Sequence, residues 1–205
     1  MELVCVRHGR TAWNSVRRFQ GRTDIPLDDE GRAQAQALAV FLAGDDFDRA
    51  YASPLGRAQE TARAILAGRS GPEVQSDDDL LEMAFGTWEG LTWDEIVAAH
   101  PDLDHAHETK PRHLTPAGGE SFDQVVARVE LFLQRIVADT PERVLIVAHA
   151  GILHALVRAL LREPDEAALN VRFDPASVTR FVGDGRGWRL VSLNASAIAA
   201  PAPGD

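Results

Sequence analysis

Residues 3–9 read LVCVRHG, and residues 144–151 read VLIVAHAG. In both stretches a short run of β-prone apolar residues stops at a histidine, and a glycine follows at once or one residue later. Such runs are typical of parallel strands that are buried on both faces. If both strands lie in one parallel sheet, His8 and His149 emerge at its carboxyl edge, where open α/β sheets bind ligands. These stretches therefore predict both the sheet and the place of a site.

The composition is that of an ordinary globular protein. The chain has 205 residues, of which 45% are hydrophobic and 25% are charged, and this length suits one domain of good size. No apolar run approaches the roughly 18 residues that a membrane span needs. Because the chain begins directly with a strand-like segment and carries no signal sequence there, we expect a cytoplasmic protein that does not engage a membrane.

Cysteine content and net charge indicate the compartment of the protein and the kind of partner it can bind. The single cysteine, Cys5, can form no intrachain disulfide, which fits a reducing compartment, and we expect it to be a small core residue. The formal net charge is −10 at pH 7, which argues against nucleic acid as a partner. Any site for an anion must therefore be a local positive pocket in an acidic protein.

Capping residues and apolar periodicity predict the helices. Asp28 is expected to cap a helix that runs to about Ala43, and Ser53 to cap a second one with Pro54 at its first position. Ser121 and Gln124 match a capping box before a long helix that ends at Asp139. Further predicted elements are helices at residues 93–99 and 152–161, a strand at residues 49–52, and a hairpin of residues 177–182 and 188–193.

Taken together, these elements predict an α/β fold. We expect a three-layer α/β/α sandwich with a mostly parallel central sheet, formed as a single domain by residues 1–194. The Ala/Pro-rich residues 195–205 are expected to be a flexible tail. Residues 10–27 are predicted to be an irregular polar loop, and such a loop directly after His8 is well placed for substrate contacts.

The residues around His8 suggest phosphoryl transfer. Arg7 offers a planar fork for phosphate oxygens, and Gly9 permits the close approach of a ligand to the backbone. A neutral imidazole can attack phosphorus when its other ring nitrogen is held as N–H by a hydrogen bond. Arg57, expected in the first turn of the helix after Ser53, would strengthen the weak anion site that a helix N-terminus provides.

Four segments, in order, resemble the motifs of the histidine phosphatase superfamily, which has the phosphoglycerate mutase-like fold. They are residues 7–27, which open with RHGRTAWN and close with FQGRTDIPL; residues 53–61, SPLGRAQET; residues 81–90, LEMAFGTWEG; and residues 147–151, VAHAG. Residues 118–121, GGES, match a stretch common in the phosphatase branch. The resemblance runs from residue 3 to about residue 155.

This resemblance implies a role for each matching residue. His8 would be the nucleophile that becomes phosphohistidine. Arg7, Arg57 and His149 would hold the phosphoryl oxygens, and Glu82 would protonate the leaving oxygen and later activate water. Phosphoryl transfer needs such charge neutralisation and such a proton donor. Because cationic side chains can neutralise the charge, no metal or cofactor is required.

Further residues are assigned to substrate binding, namely Asn14, Gln20, Gly21 and Arg10. The resemblance places Asn14 against the phosphate. Arg10 stands where the family often has Glu or Gln, and it would either favour a more anionic substrate or point to solvent. Glu89 lies close to Glu82 in the sequence, but the motif selects Glu82, and Glu89 is expected to be structural.

The resulting interpretation is a phosphomonoesterase of the histidine acid phosphatase type that hydrolyses small phosphorylated metabolites. The alternative is a phosphoglycerate mutase, which resembles this chain in its core motifs. Mutases of the family have a larger insertion over the active site, whereas here the stretch between the Glu82 motif and Gly118 is short. A catalytically silent relative that binds phosphorylated partners is disfavoured by the complete set of site residues.

Three questions stay open at this point. The histidines of residues 100–113 (His100, His105, His107 and His113) could in principle bind metal, but their spacing matches no closed site, and Lys110, Arg112 and His113 could instead reach over the pocket. Selectivity would lie in residues 10–27 and 84–117. A homodimer is possible, since Val178, Phe181 and Val182 could form core or interface.

Overall fold

A computed structural model describes residues 1–103, 114–162, 171–184 and 186–196. Within these ranges, six strands form one sheet in the order β3-β2-β4-β1-β5-β6. The strands are β1 (Glu2–Arg7), β2 (Arg49–Ala52), β3 (Val74–Ser76), β4 (Arg143–Ala148), β5 (Ser177–Gly183) and β6 (Trp188–Ser196). The first four in this order are parallel, whereas β5 runs antiparallel to β1, and β6 to β5. The prediction of a mostly parallel sheet is confirmed.

The two histidine-bearing strands are direct neighbours. β1 and β4 pair in parallel, with Leu3 opposite Val144 and Arg7 opposite Ala148. The pairing continues one step past the strands, because the His8 N–H donates to the Ala148 carbonyl over 3.0 Å. His8 and His149 therefore leave the sheet side by side at its carboxyl edge.

Helices cover both faces of the sheet. They are α1 (Ala12–Ser15), α2 (Asp29–Phe41), α3 (Gly56–Leu66), α4 (Trp93–Ala99), α5 (Phe122–Ala138) and α6 (Ala150–Leu161). Val4 and Val6 of β1 pack in a core with α2 and α3, while Leu3 and Cys5 pack in a second core with α5 and α6. Because successive side chains of a strand point to opposite faces, the strands β1, β2, β4 and β5 each contribute to both cores. The three-layer α/β/α architecture is confirmed.

Several predicted elements are confirmed in position as well as in type. Asp28 caps α2 by accepting from the Gly31 N–H over 2.8 Å. Ser121 and Gln124 form the predicted capping box at the start of α5. Cys5 is fully buried, and burial raises the pKa of its thiol, as suits a core residue. No helix in the described ranges is both long and apolar enough to cross a membrane.

The start of α3 differs from the prediction. Ser53 does not cap this helix, because its hydroxyl accepts from the N–H of Leu55, which precedes the first helical residue, over 3.4 Å. Its own N–H donates to the Val147 carbonyl of the neighbouring strand over 3.0 Å and continues the pairing of β2. The helix begins at Gly56, with Leu55 as its N-cap residue and no capping by Leu55 itself. Asp24 fills that role from a distant loop, since its carboxylate oxygens accept from the Gly56 N–H at 2.9 and 3.0 Å.

Other boundaries also move. The predicted loop at residues 10–27 contains the short helix α1, closed by a capping box between Thr11 and Asn14. β6 extends to Ser196, two residues into the segment expected to be a tail, and the rest of that segment lies outside the described residues. Val178 and Phe181 belong to the core, at 0% and 1% exposure, whereas Val182 is 36% exposed.

Two glycines let the loop after β1 lie directly on α2. A Cβ at Gly9 would meet the Gly31 carbonyl oxygen at 2.4 Å, and a Cβ at Gly31 would meet the Arg10 carbonyl oxygen at 2.0 Å. The Asp28 N–H donates to that same Arg10 oxygen over 3.1 Å. The backbone that follows His8 is therefore pressed against the first turn of α2, with no space for a side chain between them.

We predict that Gly31→Ala destabilises the protein by roughly 1–3 kcal/mol, the usual cost of overpacking. Helix propensity alone would predict the opposite change in stability, because it favours alanine over glycine by about 1 kcal/mol. Gly44→Ala is the matched control, because nothing lies within 4 Å of its added Cβ. Urea unfolding of the three proteins measures the effect. A Gly31→Ala protein as stable as the parent would contradict the close packing described here.

Candidate active site

A cavity of about 540 Å³ opens at the carboxyl ends of β1 and β4. Its lining residues come from the loop after β1, α3, the segment around Glu82 and the start of α6. They are Arg7, His8, Asn14, Arg17, Arg18, Phe19, Gln20, Gly21, Arg57, Glu82, Met83, Phe85, Phe122, Ala150 and Gly151. Four arginines and one carboxylate among these residues make the cavity a positive pocket in an acidic protein.

His8 presents one ring nitrogen to the site. Its Nδ1 lies 2.7 Å from the Gly9 carbonyl oxygen. Because a carbonyl oxygen can only accept, Nδ1 carries the proton in this bond, and Nε2 of a neutral ring keeps its lone pair. Burial, followed by the charges of Arg57 and Arg7, holds the pKa of His8 well below its ordinary value of 6.5. His8 is thus a neutral imidazole with an unprotonated Nε2.

His149 has the opposite tautomer. The Arg57 Nε donates to His149 Nδ1 over 3.3 Å, so Nδ1 is the acceptor and the proton resides on Nε2. Burial and the charge of Arg57 also hold the pKa of His149 well below 6.5. The Nε2 of His149 is buried and has no hydrogen-bond partner in the described part of the chain. This orphaned donor belongs to a ring whose centroid is 5.0 Å from that of His8, and His149 is fully buried behind the described lining residues of the cavity.

Arg57 is held by neutral groups. It is fully buried, and its two terminal nitrogens donate to the carbonyls of Thr23 over 2.9 Å and Gly21 over 2.8 Å. The nearest carboxylate, that of Asp24, is 3.8 Å away and half exposed. Carbonyl dipoles therefore fix the guanidinium without cancelling its charge, and this charge remains available to an anion in the cavity.

Glu89 holds the turn that positions Arg57. Its carboxylate accepts from the backbone N–H groups of Arg22 and Thr23, at 3.1 and 3.0 Å, and from the Thr23 hydroxyl at 2.6 Å. A Cβ at Gly21, whose φ is +52°, would meet this carboxylate at 2.1 Å. Glu89 does not line the cavity, and these bonds support the structural role expected for it.

Among the described lining residues Glu82 is the only carboxylate, and it is 8% exposed. Its two oxygens accept from the backbone N–H groups of Met83 over 2.9 Å and Gly151 over 3.3 Å. A Cβ at position 151 would lie 2.4 Å from a Glu82 oxygen, so a side chain there would displace the carboxylate. In the described part of the chain Glu82 forms no ion pair, and the backbone donors orient it toward the start of α6.

The remaining predicted site residues divide into two groups. Asn14, Gln20 and Gly21 line the cavity; Asn14 Oδ1 accepts from the Thr11 N–H over 3.0 Å, which leaves its amide protons for a ligand. Arg10 is not brought to the cavity. Its guanidinium forms ion pairs with Asp28, at 2.8 Å, and with Glu30 of α2, so the extra cation suggested at this position is neutralised outside the site.

Arg7 does reach the cavity, and its guanidinium also donates to the Phe173 carbonyl over 2.6 Å.

Of the histidines considered as metal ligands, His100 is described at the end of α4, and His105, His107 and His113 lie outside the described residues. The described residues contain no group of three or more His, Cys, Asp and Glu side chains placed to hold a metal ion.

Several lining residues were not predicted individually. Arg17 and Arg18 follow α1 within the segment expected to contact substrate, and Met83, Phe85 and Phe122 form an apolar wall. Sequence pattern alone indicated the segment and not the side chains, because α1 is a four-residue helix that is too short to leave a periodic signal.

We predict that the buried neutral histidines make stability fall below pH 6.5. The pKa of His8 is lower in the folded protein than its ordinary 6.5, so the unfolded chain binds more protons below that pH. Each such histidine costs up to about 1.4 kcal/mol per pH unit. His8→Gln should therefore flatten the dependence of unfolding free energy on pH between about 6.5 and 5 relative to the parent.

The control is His100→Gln, which removes an exposed histidine at the end of α4. This variant should keep the slope of the parent in the same urea-unfolding series. Equal slopes for the parent and His8→Gln would show that His8 titrates normally in the folded protein.

The chain is similar to several phosphatases. It is 39% identical over 158 residues to the metal-independent phosphoserine phosphatase of Arabidopsis thaliana, covering 76% of this chain and 66% of that protein. It is 35% identical over 175 residues to the adenosylcobalamin/alpha-ribazole phosphatase of Escherichia coli, covering 85% and 86%. Some relatives are longer, and the chain spans 51% of each of three mycobacterial proteins to which it is 36% identical.

The fold has matching solved structures. A mycobacterial glucosyl-3-phosphoglycerate phosphatase, solved as a complex with VO3, superposes with a TM-score of 0.87 at 36% identity, and the match covers 95% of this chain and 99% of that one. The family model of the histidine phosphatase superfamily (branch 1) matches residues 3–196. With its fold, its ordered motifs and this match over nearly the whole chain, the protein belongs to the histidine phosphatase superfamily.

Proposed function

We propose that the protein is a metal-independent phosphomonoesterase that hydrolyses small phosphate esters through a phosphohistidine on His8. The observation that carries this proposal is the pair of buried imidazoles with opposite tautomers. His8 offers a lone pair at Nε2, and His149 offers an unpaired N–H beside it. An anion with an electrophilic centre satisfies both groups at once.

The reaction would begin with the bound phosphomonoester. The Nε2 lone pair of His8 attacks phosphorus, and the bond between phosphorus and the ester oxygen breaks. Arg7, Arg57 and the His149 N–H stabilise the charge on the equatorial oxygens. Glu82, protonated at this stage, gives its proton to the leaving oxygen, so that an alcohol departs.

The second half returns the enzyme to its starting state. Water attacks the phosphohistidine, and the Glu82 carboxylate takes a proton from it. The bond between phosphorus and His8 breaks, its electron pair returns to Nε2, and inorganic phosphate leaves. The Gly9 carbonyl keeps the Nδ1 proton in place throughout, so the same tautomer is regenerated.

The relatives reported above favour a phosphatase over a mutase. Three of them are named as phosphatases, for phosphoserine, alpha-ribazole and glucosyl-3-phosphoglycerate. One of these names also specifies independence of metal. The phosphoryl group of a phosphohistidine can also pass to another hydroxyl instead of to water. Mutase activity is therefore measured alongside phosphate release.

We predict that phosphate release from a panel of phosphomonoesters survives chelator and is lost in His8→Ala. Labelled substrate should transfer its phosphoryl group to the parent protein, and the adduct should be stable to alkali and labile to acid, as a phosphoramidate is. The matched control is His100→Ala, which removes an exposed histidine and should keep full activity.

The panel should include 3-phosphoglycerate with and without 2,3-bisphosphoglycerate. Interconversion of phosphoglycerates without release of phosphate would make the protein a mutase. Activity that disappears with chelator, or that persists in His8→Ala, would refute the proposed chemistry.

We predict that Glu82→Gln lowers kcat/KM by about 10²–10⁴-fold for alkyl phosphates, the usual contribution of a general acid. The loss should be much smaller for p-nitrophenyl phosphate, because nitrophenolate leaves without protonation. Because kcat/KM reports steps up to the first irreversible one, this comparison isolates the acid role of Glu82 from its later role as base. Equal losses for both substrates would assign Glu82 a structural role only.

A further inference from the structure

Arg17 is a cation that the proposed chemistry leaves unused. It lines the cavity together with Arg7 and Arg57, but it is exposed, whereas Arg57 is fully buried. In the described part of the chain, its side chain forms no hydrogen bond and no ion pair. It therefore stands at the open side of the cavity with its charge unmatched.

Its neighbours contrast with it. Arg18 also lines the cavity, but both of its terminal nitrogens donate to the Glu95 carboxylate, at 2.6 and 3.1 Å. Arg10 is paired with Asp28 and Glu30. In a chain with a formal net charge of −10, carboxylates are abundant, so an arginine left unpaired beside an anion site is informative.

The backbone conformation of Arg17 is fixed by its neighbours. Its φ is +54°, in the left-handed region that only glycine enters without cost. This conformation follows α1 and is fixed by a bond from the Arg17 N–H to the Asn14 carbonyl over 3.2 Å. The turn thus ties Arg17 to Asn14, the residue expected to contact the phosphoryl group.

The cavity has room for more than a phosphoryl group. Its volume of about 540 Å³ lies in the range of pockets that enclose whole small ligands. The phosphoryl group would occupy the buried end with His8. The rest of the cavity is bounded by aromatic side chains such as Phe19 and Phe122, with Arg17 as its unpaired cation.

We propose that Arg17 is a specificity residue that binds a second anionic group on the leaving part of the substrate. The natural substrate would then be a phosphomonoester that also carries a carboxylate or a further phosphate. This inference rests on the proposed phosphatase function, since that function defines which end of the ligand is buried. Arg17, and not Arg10, would then be the residue that favours a more anionic substrate.

The test compares two esters that differ only in this group. 3-Phosphoglycerate carries a carboxylate where glycerol 3-phosphate carries a hydroxymethyl group. We expect the parent to favour 3-phosphoglycerate in kcat/KM and Arg17→Gly to reduce this preference about tenfold, the size of one charge-assisted hydrogen bond. Fructose 1,6-bisphosphate against fructose 6-phosphate tests a second phosphate in the same way. Glycine suits the left-handed backbone, so the variant should fold, and thermal unfolding checks this.

Arg162 provides the matched control. It is exposed, has a φ of +56° and follows α6, but it does not line the cavity. Arg162→Gly should leave the substrate preference unchanged. Arg17→Lys should keep part of the preference, and added salt should weaken it in the parent. An unchanged preference in Arg17→Gly, while p-nitrophenyl phosphate is still hydrolysed, would overturn the inference and leave the phosphatase proposal intact.

Equilibrium binding separates the two proposals. In the His8→Ala background, which cannot form the phosphohistidine, 3-phosphoglycerate should bind more tightly than glycerol 3-phosphate, and adding Arg17→Gly should remove the difference. If this holds while the parent releases no phosphate from any ester, Arg17 recognises the anion and the proposed function fails. Equal affinities of both esters in His8→Ala would refute the role of Arg17 whatever the activity.

Discussion

The parallel pairing of β1 with β4 is the constraint on which the site depends. Because Arg7 lies opposite Ala148, the next residues of both strands are histidines that leave the sheet together, with their rings 5.0 Å apart. A shift of one residue in this register would turn one imidazole to the other face of the sheet. The register is held by two cores of buried side chains on opposite faces, so the burial that stabilises the fold also aligns the site.

Electrostatics in the cavity follow from how its charges are held. Arg57 is oriented by two backbone carbonyls, which themselves belong to a turn fastened by Glu89. Elsewhere on the surface, arginines such as Arg135 and Arg180 pair with two carboxylates each. Burying the Arg57 guanidinium beside two imidazoles costs stability. Both histidines limit this cost by staying neutral, because a second positive charge would repel the first. The cavity thus holds a fixed positive charge, with neutral histidines beside it, in the absence of a bound anion.

Much of this arrangement could be predicted from the sequence, for identifiable reasons. Buried parallel strands are short apolar runs, and a capping box such as that of Ser121 and Gln124 is a local signal, so both were visible. The start of α3 was predicted at Ser53 because serine is a good cap. In the structure Ser53 follows directly on β2, where its N–H continues the pairing with β4, and the helix is capped by Asp24, a contact between residues far apart in the chain. Local rules cannot anticipate such a contact.

The sequence by itself determined the fold class, the order of the motifs and the identity of His8, Arg7, Arg57, Glu82 and His149 as candidate site residues, because each of these depends on residue type and near neighbours. Only the tertiary structure decided the ring tautomers, the partners of Arg57, and which of the arginines near His8 faces the cavity. These properties depend on distances between segments that are separated in the chain. Arg10 and Arg17 are similar in sequence terms, but Arg10 pairs with Asp28 and Glu30 outside the cavity, whereas Arg17 lines it.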